Sequence, residues 1–192
     1  SVRALENKHI TLTVAQNTSD RRSAKVKVQS LDGKLSVEYT ISQAGTASSS
    51  TPEAGDDGTI LGTPAKNEIF YTSTNGKVIE PNKTEAFGGA IISNTYANGV
   101  GVIVFDREIT EIGYEAFRLR SYLKSISLPN SVTKIGDSAF SGCSSLTSIT
   151  IPDSVTEIGG SAFSSCSSLT SVTIPDSVTK IGSFTFSHCS SL

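Results

Sequence analysis

Residues 143–192 decide what this chain can become, because CSSLTSITIPDSVTEIGGSAFSS (Cys143–Ser165) is followed at once by CSSLTSVTIPDSVTKIGSFTFSH (Cys166–His188). The two copies differ only at Ile149/Val172, Glu157/Lys180, Gly160/Ser183, Ser161/Phe184, Ala162/Thr185 and Ser165/His188. The same step of 23 residues joins Phe117, Phe140, Phe163 and Phe186, then Gly113, Gly136, Gly159 and Gly182, then Pro129, Pro152 and Pro175. A period in this range marks a stacked repeat architecture. One unit cannot stand alone: its buried apolar residues contribute roughly 1.5 to 3 kcal/mol each, against about 1 to 2 kcal/mol of backbone entropy for every residue ordered. Only neighbours above and below, sharing a continuous core, tip that balance.

Within a unit the spacing L-x-x-I-x-I predicts one short strand per coil, with Ile149 and Ile151 inward and Ser148 and Thr150 outward. Stacking then sets two hydroxyl columns on the outer sheet face, Ser125, Ser148, Ser171 and Ser127, Thr150, Thr173. These six are the candidate partner-binding residues, since near-identical units suit a repetitive ligand or many weak contacts. On the return side Gly159 ends an extended piece, and Ala162-Phe163 is expected to open a helical or 3₁₀ turn. The residue before each Ile-Gly pair alternates in charge, Glu111, Lys134, Glu157, Lys180. Stacking therefore predicts a ladder of opposite charges.

The string A-F-x-x-C-S-S-L-T-S-I-T-I-P-D-S-V-T-x-I-G resembles the BspA-like leucine-rich repeats, related to the treponemal type, of bacterial surface proteins. The resemblance covers Ile109–Leu192, and the preceding EIFYTSTNGKVIEP…AFGGAIISNTYANGVGVIVF resembles the segment that leads into such repeats in Bacteroidetes-type members. It implies a secreted or surface-displayed protein, extracellular, that adheres to host or matrix proteins.

The fold expected is mainly β: a leucine-rich-repeat solenoid over 100–192, an N-terminal cap over 64–99, a linker over 46–63 and part of an immunoglobulin-like sandwich over 1–45. Alternation around Ile10–Val14, Ala24–Val28 and Val37–Ile41 predicts three strands in the first part. His9–Gly45, closing on I-S-Q-A-G, resembles the C-terminal half of a BACON domain, which implies a spacer or a carbohydrate-binding role. TASSSTPEAGDDGT (46–59) has nothing to bury and reads as a flexible linker. In the cap, Asn75-Gly76 predicts a hairpin with strands near 68–73 and 77–80. Val100, Ile103 and Phe105 stand one period before Leu123, Ile126 and Leu128, so the repeats are expected to begin there. The chain starts without Met and stops where another strand is due, so it reads as a piece of a longer protein whose last coil associates or frays.

Chemistry finds little footing. Cys143, Cys166 and Cys189 share one inward position, where buried thiols are favoured over a disulfide, although stacking brings them within its range. Arg120 takes that position in the first full coil, with Leu119 or Tyr122 expected to fill the core instead. His188 beside Cys189 suggests a nucleophile, but an inward thiol lacks the accessible, electropositive setting that activation needs. Asp153 and Asp176 stack as turn residues, with calcium the weaker reading. The basic cluster Arg107, Arg118, Arg120 and Lys124 reads as solvated charge, and a net charge of −2 gives no case for nucleic acid. No cofactor and no membrane span are expected in this segment. The reading is therefore a non-enzymatic binding protein, with proteins or glycans as partners; a structural stalk and a glycan-binding accessory module are the alternatives.

Overall fold

The computed structural model describes residues 22–29, 36–43, 52–55 and 60–192 and divides into two compact units, Ser1–Ser50 and Thr51–Leu192. In the first, β1 (Arg22–Gln29) pairs antiparallel with β2 (Ser36–Gln43), setting Val28 opposite Val37 and Val26 opposite Tyr39 as the alternation predicts. The strand expected at 10–14, and with it the sandwich, lies outside the described residues.

The second unit begins with two very short strands, β3 (Glu53–Ala54) and β4 (Ile60–Leu61), paired antiparallel. The stretch read as a linker therefore carries structure over its described part, with Pro52 buried and β4 lying against the strands that follow. Next come β5 (Glu68–Ser73), a 3₁₀ turn (Thr84–Phe87), β6 (Ile91–Ala97) and β7 (Val100–Phe105). The repeats then alternate between two sheets. One holds β8 (Glu111–Ile112), β10 (Lys134–Ile135), β12 (Glu157–Ile158) and β13 (Lys180–Ile181), all parallel. The other runs β6-β7-β5-β9-β11, with β9 (Leu123–Ser127) and β11 (Ser148–Thr150) parallel.

Two expectations about the cap are corrected. Residues 77–80 form no strand: the turn at Asn75-Gly76 is made, fastened by Ser73 Oγ to the carbonyl and amide of Lys77, but the chain leaves it unpaired. The hairpin is at the other Asn-Gly pair, Asn98-Gly99, whose φ of 51° and 82° suit the primed turn joining β6 to β7. Nor does β7 stack directly on β9. The strand β5 lies between them, antiparallel to both. Every described side chain of 69–73 is buried, because this central strand is covered on both faces.

Between the sheets the rings of Phe117, Phe140, Phe163 and Phe186 stack with centroids 5.3 to 5.5 Å apart and planes within 4°. Phe87 closes the column, meeting Phe117 edge-on at 5.6 Å and Phe105 tilted at 4.9 Å. Offset stacked pairs of this kind add about 0.5 to 1.5 kcal/mol beyond the area they bury. The turn side is neither helix nor strand. Successive amides alternate between a local carbonyl and one on the next coil: Ser138 to Gly160, Ala139 to Gly136, Phe140 to Ala162, Ser141 to Ser138, Gly142 to Ser164. That alternation needs left-handed residues, at Glu115, Ser138, Ser161 and Phe184, and again at Leu119, Gly142, Ser165 and His188. It replaces the helical turn expected after Ala162, since half the amides are spent on the neighbouring coil.

The glycine column has a steric cause. A Cβ on Gly136 would come within 2.9 Å of the Gly113 carbonyl carbon, and one on Gly159 within 2.5 Å of the Asp137 amide nitrogen. Backbone meets backbone there, and no rotamer change can relieve it. Beside this column the charge ladder forms in register, Lys134 between Glu111 and Glu157, and Glu157 opposite Lys180. The Glu157 carboxylate lies 2.6 Å from Lys180 Nζ and 3.5 Å from Lys134 Nζ. The last coil is the least covered, with Ile181 50% and Phe184 75% exposed and no strand at 171–174.

Gly159→Ala is expected to destabilise the second unit by about 2 to 3 kcal/mol, at the upper end of overpacking costs, while Gly160→Ala, whose added carbon would come no nearer than 3.4 Å to anything, should cost under about 1 kcal/mol; denaturant unfolding of both variants checks the contrast. For the ladder, Glu157→Lys would set three lysines in succession. Its unfolding midpoint should fall at low ionic strength, recover at about 1 M salt, and recover at low salt when Lys134 and Lys180 are both changed to Glu.

Candidate functional site

The outer face of the larger sheet is built by short strands whose inward residues are fixed by the core: Ile126, Ile149 and Ile151 are buried, so their alternates point out. Register places Ser125 opposite Ser148 and Ser127 opposite Thr150, bringing four of the six candidates together as two columns. Ser148 and Thr150 are exposed and Ser127 is half-buried. Ser125 departs from the expectation. It is 5% exposed, and its hydroxyl meets Thr72 Oγ1 at 2.6 Å across to β5, so that hydroxyl is engaged within the sheet. Ser171 and Thr173 are exposed but lie outside any strand. A groove of about 220 Å³ follows the face, lined among others by Ile60, Thr63, Ser125, Ser127, Ser148 and Thr150.

Other repeated hydroxyls are structural, a distinction that the sequence pattern leaves hidden. Thr133, Thr156 and Thr179 each donate a side-chain hydrogen bond to the carbonyl one period earlier, as do Thr147 and Thr170. Ser154 and Ser177 do the same to Val132 and Val155. Their signal lay in position: they occupy turns and strand ends rather than alternating strand sites.

The three cysteines are free. Each Sγ donates to a phenylalanine carbonyl of the coil below, Cys143 to Phe117, Cys166 to Phe140 and Cys189 to Phe163, at 3.1 to 3.2 Å. Burial pushes the Cys143 thiol up to about 12 and raises Cys166 and Cys189 too. This is the opposite of the shift an attacking thiolate needs. His188 is exposed. Among the described residues no cluster of three His, Cys, Asp or Glu side chains is placed to hold a metal ion, and no helix is long and apolar enough to cross a membrane.

Arg120 fills no core position, and neither Leu119 nor Tyr122 replaces it, for they are 59% and 55% exposed. The guanidinium turns outward, donating to the Glu80 carbonyl and to Asn82 Oδ1. The basic cluster is also pulled apart: Arg107 pairs with Asp106 at 3.0 Å and Arg118 with Glu115 at 3.5 Å.

Stacked coils whose short strands pair in parallel in two sheets, a phenylalanine column and free inward cysteines define a leucine-rich-repeat protein. Residues 91–192 match the BspA type leucine rich repeat region in six copies, and the chain belongs to that family. Among curated proteins none matches it. Among solved structures it is similar to a leucine rich repeat protein of T. pallidum, at 34% identity over 45% of this chain and 51% of that one, with a TM-score of 0.38. A leucine rich cell surface protein of Faecalibacterium prausnitzii A2-165 is 38% identical over 52% of this chain and 26% of its own, with a TM-score of 0.40. A leucine-rich repeat protein of Bacteroides ovatus ATCC 8483 is 30% identical over 51% and 30%, with a TM-score of 0.35. The chain thus spans about half or less of the length of these relatives.

Alkylation in native buffer should be slow at Cys143 and Cys166 and faster at half-buried Cys189. The raised thiol values also carry a stability effect. A thiol held neutral in the fold stabilises it fully below the unfolded value near 9, and that stability is lost progressively as pH climbs toward about 12. Chemical unfolding followed between pH 8 and 11 should show a falling midpoint, and a fall that is smaller in Cys143→Ala.

Proposed function

We propose that this chain is a non-enzymatic recognition module of a surface-displayed or secreted bacterial protein, binding a host or matrix protein through the outer face of its repeat solenoid. One observation carries the reading: Ser148 and Thr150 stand exposed and in register with the preceding coil, on a face with a groove of only about 220 Å³. A hydroxyl-lined groove of this volume falls below the roughly 300 to 1,000 Å³ of a small-molecule pocket, which buries most of its ligand. It suits an extended protein surface. Membership in the BspA-type family, whose resemblance implies surface display, supports the location, and leucine-rich repeats commonly bind proteins.

The test is a binding screen of the chain, and of a form lacking residues 1–45, against purified extracellular-matrix proteins and a glycan array. The expected result is a matrix protein held by both forms, with binding reduced at least about tenfold by Ser148→Arg combined with Thr150→Arg. Glycan binding that disappears with residues 1–45 would move the function to the BACON-like segment. Silence in every arm would leave a stalk.

A further inference from the structure

The first full coil breaks the repeat in a selective way. Most of its inward residues keep the pattern, with Ile112, Ala116, Phe117 and Leu123 all buried, while Arg120 takes the place of the inward cysteine. Three outward residues depart as well: where the next coil places Ser141 and Ser145, this coil places Arg118 and Tyr122, and Leu119 stands where later coils hold Gly142, Ser165 and His188. Stability does not account for the change. Leu119 has a φ of 59°, in the left-handed region that bulky residues avoid, and leaves its side chain 59% exposed. Tyr122 is 55% exposed beside it.

The chain below completes the patch. Val78, 37% exposed, lines a groove of about 340 Å³ together with Glu80, Leu119, Arg120 and Tyr122. Its members are held in place before any partner arrives. Arg120 is fixed to Glu80 and Asn82, the Thr74 amide donates to the Tyr122 carbonyl, and Leu119 lies across Gly142, where an added Cβ would come within 2.6 Å of its Cδ2. Gly142 is the one glycine of that column, and it makes the room. Among residues 75–83 and 115–122 four cations, Lys77, Lys83, Arg118 and Arg120, stand against two carboxylates, Glu80 and Glu115, the second of them paired with Lys83 and Arg118, on a chain whose net charge is −2. Rigid tyrosine, leucine and arginine without large ordering costs are the composition of an interface anchor.

The geometry points to this patch, Val78, Leu119 and Tyr122 with Arg118 and Arg120, as a second docking surface, one that takes an acidic protein segment carrying large apolar side chains. The apolar side chains enter the groove beside Tyr122, and the partner's carboxylates face the arginine flank. It is separate from the hydroxyl face and needs nothing from it.

The test uses the full chain and a synthetic peptide of about fifteen residues alternating Glu or Asp with Leu or Phe. A charge-reversed peptide and one with Gly for Leu and Phe serve as comparisons. Amide shifts in the chain on titration should map to 75–80 and 118–122, and the affinity should fall at least about fivefold between 50 and 300 mM salt. Tyr122→Ala and Arg118→Glu should each weaken it about tenfold. Gly142→Ser, which installs the residue that the next coil carries at Ser165 and displaces Leu119, should weaken it without any change of charge. Ser148→Arg with Thr150→Arg should leave it unchanged. The proposal is overturned if those amides do not move at millimolar peptide, or if the shifts fall on 148–150. It is equally overturned if the two comparison peptides bind as well, or if a single-stranded oligonucleotide or a neutral oligosaccharide takes the patch more tightly. Loss of matrix-protein binding in the hydroxyl-face variant with intact peptide binding would separate the two surfaces.

Discussion

Everything in the second unit depends on how closely one coil can sit on the next. The glycine column sets that distance, because backbone atoms there approach to where a single added carbon would overlap them. At this spacing the phenylalanine rings reach 5.3 to 5.5 Å, strands pair in register, and alternating turn amides find the carbonyls of the neighbouring coil. A small error would be felt in all of them together. The steps of 23 residues repeat most of this set, so the cohesion of the stack is a nearest-neighbour property.

This constraint explains why some features were legible in the sequence. The phenylalanine, glycine and cysteine columns, the parallel pairing and the charge ladder all follow from a fixed step, and a fixed step is visible in letters alone. What periodicity cannot show is adjacency. Ile103 and Phe105 are in phase with Ile126 and Leu128, yet β5 lies between their strands, since phase says where a side chain points and not which strand is next to it. Two local signals pointed to the inserted strand. The run Ile69-Phe70-Tyr71 has no alternation, as a strand buried on both faces requires. Gly101 is the other: a Cβ there would fall inside the ring of Tyr71, at 2.0 Å from Cζ.

The two Asn-Gly pairs make a similar point about turns. Both turns form, but only Asn98-Gly99 joins paired strands, because β6 has an available edge on β7. After Asn75-Gly76 the flanking β5 is already paired on both sides and has no edge left for residues 77–80. Turn chemistry thus fixes a reversal, while the sheet decides whether the reversal becomes a hairpin. The candidate hydroxyl columns suffered from the same blindness. Ser125 belongs to the column by phase, and β5 engages its hydroxyl through Thr72.

Repeat proteins also separate structural from functional residues more cleanly than most folds, because each coil serves as a control for the others. A threonine that bonds the carbonyl one period earlier, as Thr156 and Thr179 do, is explained by stacking and needs no further role. A residue that departs from its column where no neighbour requires it is different. Arg120 replaces an inward cysteine and must be turned out and tied to residues 80–82, which stacking alone does not demand. Leu119 accepts a left-handed backbone and an exposed apolar side chain at a position where Gly142 and Ser165 are accommodated at less cost. Both departures fall on one coil and one side, beside a tyrosine that replaces a serine. Within a stack whose other coils are nearly identical, that coincidence marks the place where the molecule stops repeating itself and becomes particular.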